Sequence, residues 1–199
     1  PQKLWLTMLE PPEACRPVLE ALIRDNRVTA DDVWTRARRQ FEANRTGNAR
    51  NTLGALPASQ TPDAKALDLV ISSPMGYLAR QPGNWQTTRA GRELAALAIQ
   101  RIAANDPRAA ANELEKLQGR MQESERQWAW SQIGLQAAKK HYPEAVAWFA
   151  QAGSAPLSDE GYQWKVRAAL RAHDWSMVLA TVSEMPPTLA AQPEWVYWL

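Results

Sequence analysis

The sequence predicts an all-α fold, an α-superhelix in which antiparallel helical hairpins stack as a tetratricopeptide-like solenoid. Three observations carry that expectation. Apolar residues recur at helical spacing along nearly the whole chain, and the breaks between such segments are short. The tryptophans Trp130, Trp164 and Trp198 are equally spaced, at a period of about 34 residues, the length of a tetratricopeptide-type helix pair. Alternation of apolar and polar residues, the mark of a half-buried strand, never persists beyond about five positions.

The N-terminal half supplies four candidate helices: "PPEACRPVLEALIRDN", "TADDVWTRARRQFEAN", "TGNARNTLGAL" and "DAKALDLVISS". Thr29 with Asp32 suits an N-cap without completing a capping box. The stretches "ALPASQTPD" and "SSPMGYLARQPGNW" are rich in turn residues but too short to separate domains. "AIQRIAANDPRAAANELEKL" holds the next helix pair, with Ala103 and Ala104 falling one such period before Ala137 and Ala138. In "QWAWSQIGLQAAKKH", Trp130, Ile133, Gly134, Ala137 and Ala138 share one helical face. "YPEAVAWFAQAG" follows, with Pro143 near a helix start, a stripe of Ala145, Trp148 and Phe149, and Gly153 as the stop.

The hairpin repeats in "GYQWKVRAALRAHDWSMVLATVSEM", where the overlay pairs Ala138 with Ala172 and Ala145 with Leu179. Here Tyr162, Val166, Ala169, Leu170 and His173 form one face, and Trp164, Ala168 and Ala172 another. A solenoid helix needs two such faces, because it has neighbours on both sides. The whole of residues 1–199 therefore reads as one continuous array.

Composition excludes several functions. Apolar residues make up 45% of the 199, a folding composition, and the mean hydropathy of −0.47 leaves ample polar surface. No run of about 18 uncharged apolar residues exists to span a bilayer. A net charge of +2 is too small to imply nucleic acid. The densest basic cluster, Arg36, Arg38, Arg39 and Arg45, shares its helix with Asp31, Asp32 and Glu42 and reads as a solvated, salt-bridged face. His141 and His173 lie near hairpin breaks, which suits capping or packing, and neither belongs to a metal-binding spacing. Asp31 and Asp32 adjoin each other at a helix start, where the dipole favours carboxylates. Glu123 and Ser124 open a polar helix start and suit capping better than catalysis. No cofactor motif is present. The repeat-spaced Trp130, Trp164 and Trp198 are expected in the core, whereas Trp85, Trp128 and Trp175 lie beside turns and are weaker core candidates. The lone Cys15 has no internal disulfide partner: it is buried, lone, or paired upstream.

The terminal "QPEWVYWL" opens a helix with Pro193 and Glu194 and then stops on aromatic residues. Together with the missing initiator Met, this reads as a segment cut at both ends. Trp195, Tyr197 and Trp198 are then expected to form an exposed patch through which the chain self-associates or frays.

Two stretches resemble a known family. "KLWLTMLEPPEACRPVLEAL" is similar to the "LW-T-G…P-AC" segment of the soluble lytic murein transglycosylases, with Met8 in place of the glycine. "RAALRAHDWSMVLATVSEMPPTLAAQPEWVYWL" resembles their later segment that ends in "EW-YW". The resemblance covers essentially the whole chain and implies an α-superhelical scaffold ahead of a lysozyme-like catalytic domain. That domain cleaves the β-1,4 bond between N-acetylmuramic acid and N-acetylglucosamine to a 1,6-anhydro product. Its G-L-M-Q motif is not in these residues, and Glu123-Ser124 is not the counterpart of its E-S motif because it lies upstream of the "EW-YW" segment that precedes the catalytic domain, so catalytic residues and cofactors are expected to be none here. The resemblance implies murein strands and the parent's own catalytic domain as partners. It also implies a periplasmic parent, in an oxidising compartment that permits Cys15 to pair with an upstream cysteine. The competing reading is a stand-alone repeat adaptor that binds protein segments on a concave face.

Overall fold

The computed structural model describes residues 9–10, 16–25 and 27–198, and within them it is helical without a strand. Cys15 lies outside the described residues. The all-α expectation holds. The chain divides into two compact units, residues 1–67 with 88–90, and residues 68–87 with 91–199.

In the first unit, α1 (Arg16–Arg24) precedes α2 (Ala30–Glu42) and α3 (Thr46–Leu53), and α2 and α3 pack on one another. Val33, Trp34, Ala37 and Phe41 of α2 are buried, as are Ala49 and Leu53 of α3. A polar bridge accompanies them: Thr52 Oγ1 donates to Gln40 Oε1 at 2.7 Å, and Gln40 Nε2 donates to the Leu9 carbonyl at 3.0 Å. The cap of α2 is stronger than its sequence suggests. Asp32 N–H donates to Thr29 Oγ1 while Thr29 N–H donates to Asp32 Oδ2, so the capping box is complete with aspartate in the role usually held by glutamate. The arginine cluster is also not one solvated face, because Arg36 is buried with Val33 and Ala37, and burial pulls its pKa below the usual arginine value. Arg45 does sit at the surface, 3.0 Å from Glu10, and Asp31 pairs with Arg89.

The second unit begins within α4 (Ala64–Ser72) and continues through α5 (Pro74–Arg80), a 3₁₀ turn at Trp85–Thr87, α6 (Arg89–Asn105) and α7 (Pro107–Leu117). Then come α8 (Glu123–Lys139), α9 (Ala145–Gln151), α10 (Asp159–Arg171), α11 (Trp175–Glu184), α12 (Pro187–Ala190) and α13 (Pro193–Val196). Helix α8 packs against α7, α9 and α10, and α10 packs against α9 and α11. Packing that advances one hairpin at a time is what a solenoid requires. Every residue of α8 from Trp128 to Leu135 is buried, so this helix has no solvent face along its middle.

The two faces expected of α10 serve two separate clusters. Val166 and Ala169, with Tyr162 and Leu170, pack with Val178, Val182 and Met185, whereas Ala168 and Trp164 pack with Leu135, Ala138 and Phe149. Ala172 and His173 drop out and are exposed, because α10 ends at Arg171.

The hairpin turns share one chemistry. Asn44, His141 and His173 all adopt left-handed backbone, at φ 57°, 62° and 57°. After each, an N–H reaches back to a carbonyl in the last turn of the helix: Arg45 to Gln40 at 2.7 Å, Tyr142 to Ala137 at 2.9 Å and Asp174 to Ala169 at 2.9 Å. These are Schellman closures, and the histidines are the C-terminal stops of their helices. The step from turn to turn, His141 to His173, is two residues shorter than the step from Trp130 to Trp164. That shift explains why Ala145 is fully buried while Leu179, its partner when the tryptophans are overlaid, is 49% exposed.

Candidate functional site

No three His, Cys, Asp or Glu among the described residues gather closely enough to hold a metal ion. The most deeply buried carboxylate of α8, Glu125, is fully engaged. Its Oε1 accepts from Arg92 Nε at 3.0 Å and its Oε2 from the Gln122 N–H at 2.8 Å, while Arg92 also donates to the Gln86 carbonyl at 2.9 Å. Gln122 and Glu125 thereby form the capping box of α8, a role the sequence suggested for Glu123 or Ser124. Glu123 instead accepts from Gln127 at 2.8 Å.

The three repeat-spaced tryptophans occupy three environments. Trp130 is buried and donates through Nε1 to Gln118 Oε1 at 3.2 Å. Trp164 is half-buried, with His141 6.1 Å away and the Arg167 guanidinium 5.4 Å over its ring. Trp198 is half-buried and stacks on Trp175 at 6.1 Å. The two-residue difference in register accounts for this, since it sets Tyr162, not Trp164, opposite Trp130. Trp85 and Trp128 are core residues, whereas Trp175 is 52% exposed. At the terminal segment the expected patch of three rings is smaller. Trp195 is buried against Val182 and Leu189, with Arg167 5.2 Å over its face, which leaves Tyr197 as the most exposed ring of the three. His173, Trp175, Trp198 and Tyr197 form a chain of ring contacts at 6.2, 6.1 and 5.0 Å.

One open groove in the second unit combines charge with apolar surface. It encloses about 270 Å³ between α9 and α11. Lys165 of α10 lines it together with Phe149, Met177 and the N-cap residue Asp174. The Lys165 side chain is 10% exposed and its ion-pair partner, Glu184, stands 3.6 Å away. Sequence patterning did not single out Lys165, because an isolated lysine on an otherwise apolar helix face reads as surface.

No family model matches the chain, and no curated protein matches it. Among solved structures, the X-ray structure of an inactive mutant of the lytic transglycosylase Slt from Pseudomonas aeruginosa aligns at a TM-score of 0.60 and 25% identity. The alignment takes in 99% of this chain and 32% of that one, so the chain spans about a third of the length of the protein it matches. Through this shared backbone and the quoted segments at its two ends, the chain resembles the lytic transglycosylase family.

Proposed function

We propose that the chain is the non-catalytic superhelical scaffold of a periplasmic peptidoglycan lytic transglycosylase, holding a separate catalytic domain against murein strands. The observation that carries this reading is the coverage. The likeness takes in 99% of this chain but 32% of the neighbour, as expected of a scaffold portion beside further domains. The hairpin array supports it, since stacked helices provide a long rigid surface rather than an enclosed pocket. No helix of the described residues is long and apolar enough to cross a membrane, which is compatible with a periplasmic setting.

Two assays test the proposal. An antibody raised against this chain should recognise a murein-clearing band in a zymogram of the periplasmic fraction, and recognition only of inactive or cytoplasmic bands would contradict it. Incubation of the purified chain with murein sacculi should release no 1,6-anhydro muropeptides above a buffer blank. Their appearance would overturn the non-catalytic assignment.

A further inference from the structure

His141 and Arg171 meet across the joint between two successive hairpins, and the chemistry of that contact fixes a protonation state. Arg171, the last residue of α10, brings Nη1 to 2.5 Å from Nδ1 of His141, the left-handed stop after α8. A guanidinium donates hydrogen bonds, accepts none and keeps its proton in proteins, so Nδ1 must be the bare nitrogen of a neutral imidazole with its proton on Nε2. A second proton turns Nδ1 into a donor facing a donor and sets one cation against another. The contact does not survive that change.

The groups around the ring add positive charge and do little to offset it. Lys139 and Lys140 end the same helix. From α10 the Trp164 ring lies 6.1 Å away, but the Arg167 guanidinium already covers that ring at 5.4 Å. Of the carboxylates on the neighbouring elements, Glu160 accepts from Lys139 at 2.7 Å and Glu144 from Arg108 at 2.8 Å, while Asp159 stands at the opposite end of α10 from Arg171 and Asp174 caps α11. Arg171 has no carboxylate partner among the described residues, so His141 is the acceptor it uses. The backbone under His141 is held by the Tyr142 N–H, which donates to the Ala137 carbonyl at 2.9 Å. Arg171 is exposed at a helix end and is therefore the partner that moves.

We propose that His141 is an acid-sensitive latch between the hairpins α8–α9 and α10–α11. While neutral, it ties the turn after α8 to the end of α10 through Arg171; protonated, it releases Arg171 and loosens the joint. The tie stabilises the fold at neutral pH and is lost as pH falls through the range in which histidine takes up a proton. A solenoid repeat contacts only its neighbours, so loosening one joint alters how those two hairpins lie on each other. His173 provides a comparison within the chain. It holds the same left-handed position one repeat later, but its ring meets Trp175 edge-on at 6.2 Å in place of a guanidinium, so the latch belongs to the first of the two turns. This inference does not depend on the scaffold reading.

The test is a double-mutant cycle on the full chain with His141→Asn and Arg171→Gln, run by urea denaturation at neutral and at acid pH. Asparagine suits the left-handed position, as Asn44 shows, and does not titrate. Both side chains are exposed, so the coupling at about pH 7.5 should be modest, roughly two- to fivefold in the unfolding constant, and at about pH 5 it should vanish or turn unfavourable. The same cycle with His173→Asn in place of His141→Asn should show no coupling at either pH. Imidazole nitrogen shifts at neutral pH should place the proton of His141 on Nε2. A coupling unchanged between the two pH values, a coupling absent at both, or a neutral His141 protonated on Nδ1 would overturn the proposal.

Discussion

The hairpins α8–α9 and α10–α11 are successive repeats of one design, yet they are held by different means. In α8–α9, Gly134 lies against the Phe149 ring, so closely that a Cβ on Gly134 would stand 2.9 Å from Phe149 Cγ. At the position before the next turn that matches Gly134 before His141, α10 carries Val166, which packs in a cluster with Val178 and Val182. The helix starts differ as well. Helix α8 is anchored by the buried Arg92–Glu125 pair, whereas α10 begins with a Ser158 cap and an exposed Lys139–Glu160 pair at 2.7 Å. The comparison teaches that the repeat keeps the filled volume and the helix path, not the residues that supply them. An interior packed to crystal-like density permits one large side chain against none, or two of middle size.

The largest effect should come from breaking the buried anchor. Glu125→Ala leaves the Arg92 guanidinium buried and uncompensated, and removing one partner of such a pair costs about 3–5 kcal/mol. Urea denaturation of the purified variant measures it, and a loss under about 1 kcal/mol, the scale of an exposed pair, would mean that Arg92 finds another acceptor. Next comes Gly134→Val. Its added atoms must displace Phe149, and overpacking of this kind costs about 1–3 kcal/mol, again read from the urea midpoint. The exposed counterpart of the anchor should matter far less. Glu160→Gln removes a pair with side chains 37% and 54% exposed, a class of interaction worth about 0–1 kcal/mol.

The smallest effect is the pH dependence at the start of α9. The hydrogen bond from Arg108, at 2.8 Å, holds the Glu144 carboxyl below the usual carboxylate pKa. A carboxylate whose folded pKa is depressed stabilises the fold above its unfolded pKa, and that contribution disappears as pH falls through the folded value. Solvent screens this exposed pair, so Glu144→Gln should lower the melting temperature only slightly at neutral pH, and the difference from the parent should close as pH falls through the carboxylate range. A difference that persists undiminished into acid, or that appears only there, would contradict the assignment.

Much of this architecture was legible from residue periodicity. The split of α10 into Val166 and Ala169 against Trp164 and Ala168 could be read directly, because helical spacing decides which side chains share a face. The register was not legible. Counting between tryptophans takes Trp164 as the equivalent of Trp130, whereas the turns that set the hairpins close on left-handed His141 and His173, a step two residues shorter that makes Tyr162 the equivalent. Burial of Trp195 also escaped notice, since a pattern identifies an apolar face but not the Arg167 guanidinium that covers it. Arg36 and Lys165 were missed for a related reason: charge predicts the surface, and only packing shows where a long side chain is enclosed.

Volume conservation between the two repeats can be tested most directly by a double-mutant cycle that rebuilds α8–α9 in the manner of α10–α11. Gly134→Val alone overfills the site and Phe149→Val alone empties it, so each should destabilise. Together they should compensate, with a favourable coupling of at least ~1 kcal/mol, inside the range of roughly 0.5–3 kcal/mol found for residues in contact. Additive losses, with a coupling near zero, would show that the Gly134–Phe149 contact is not the counterpart of the valine cluster around Val166, and the account of the repeat would fail.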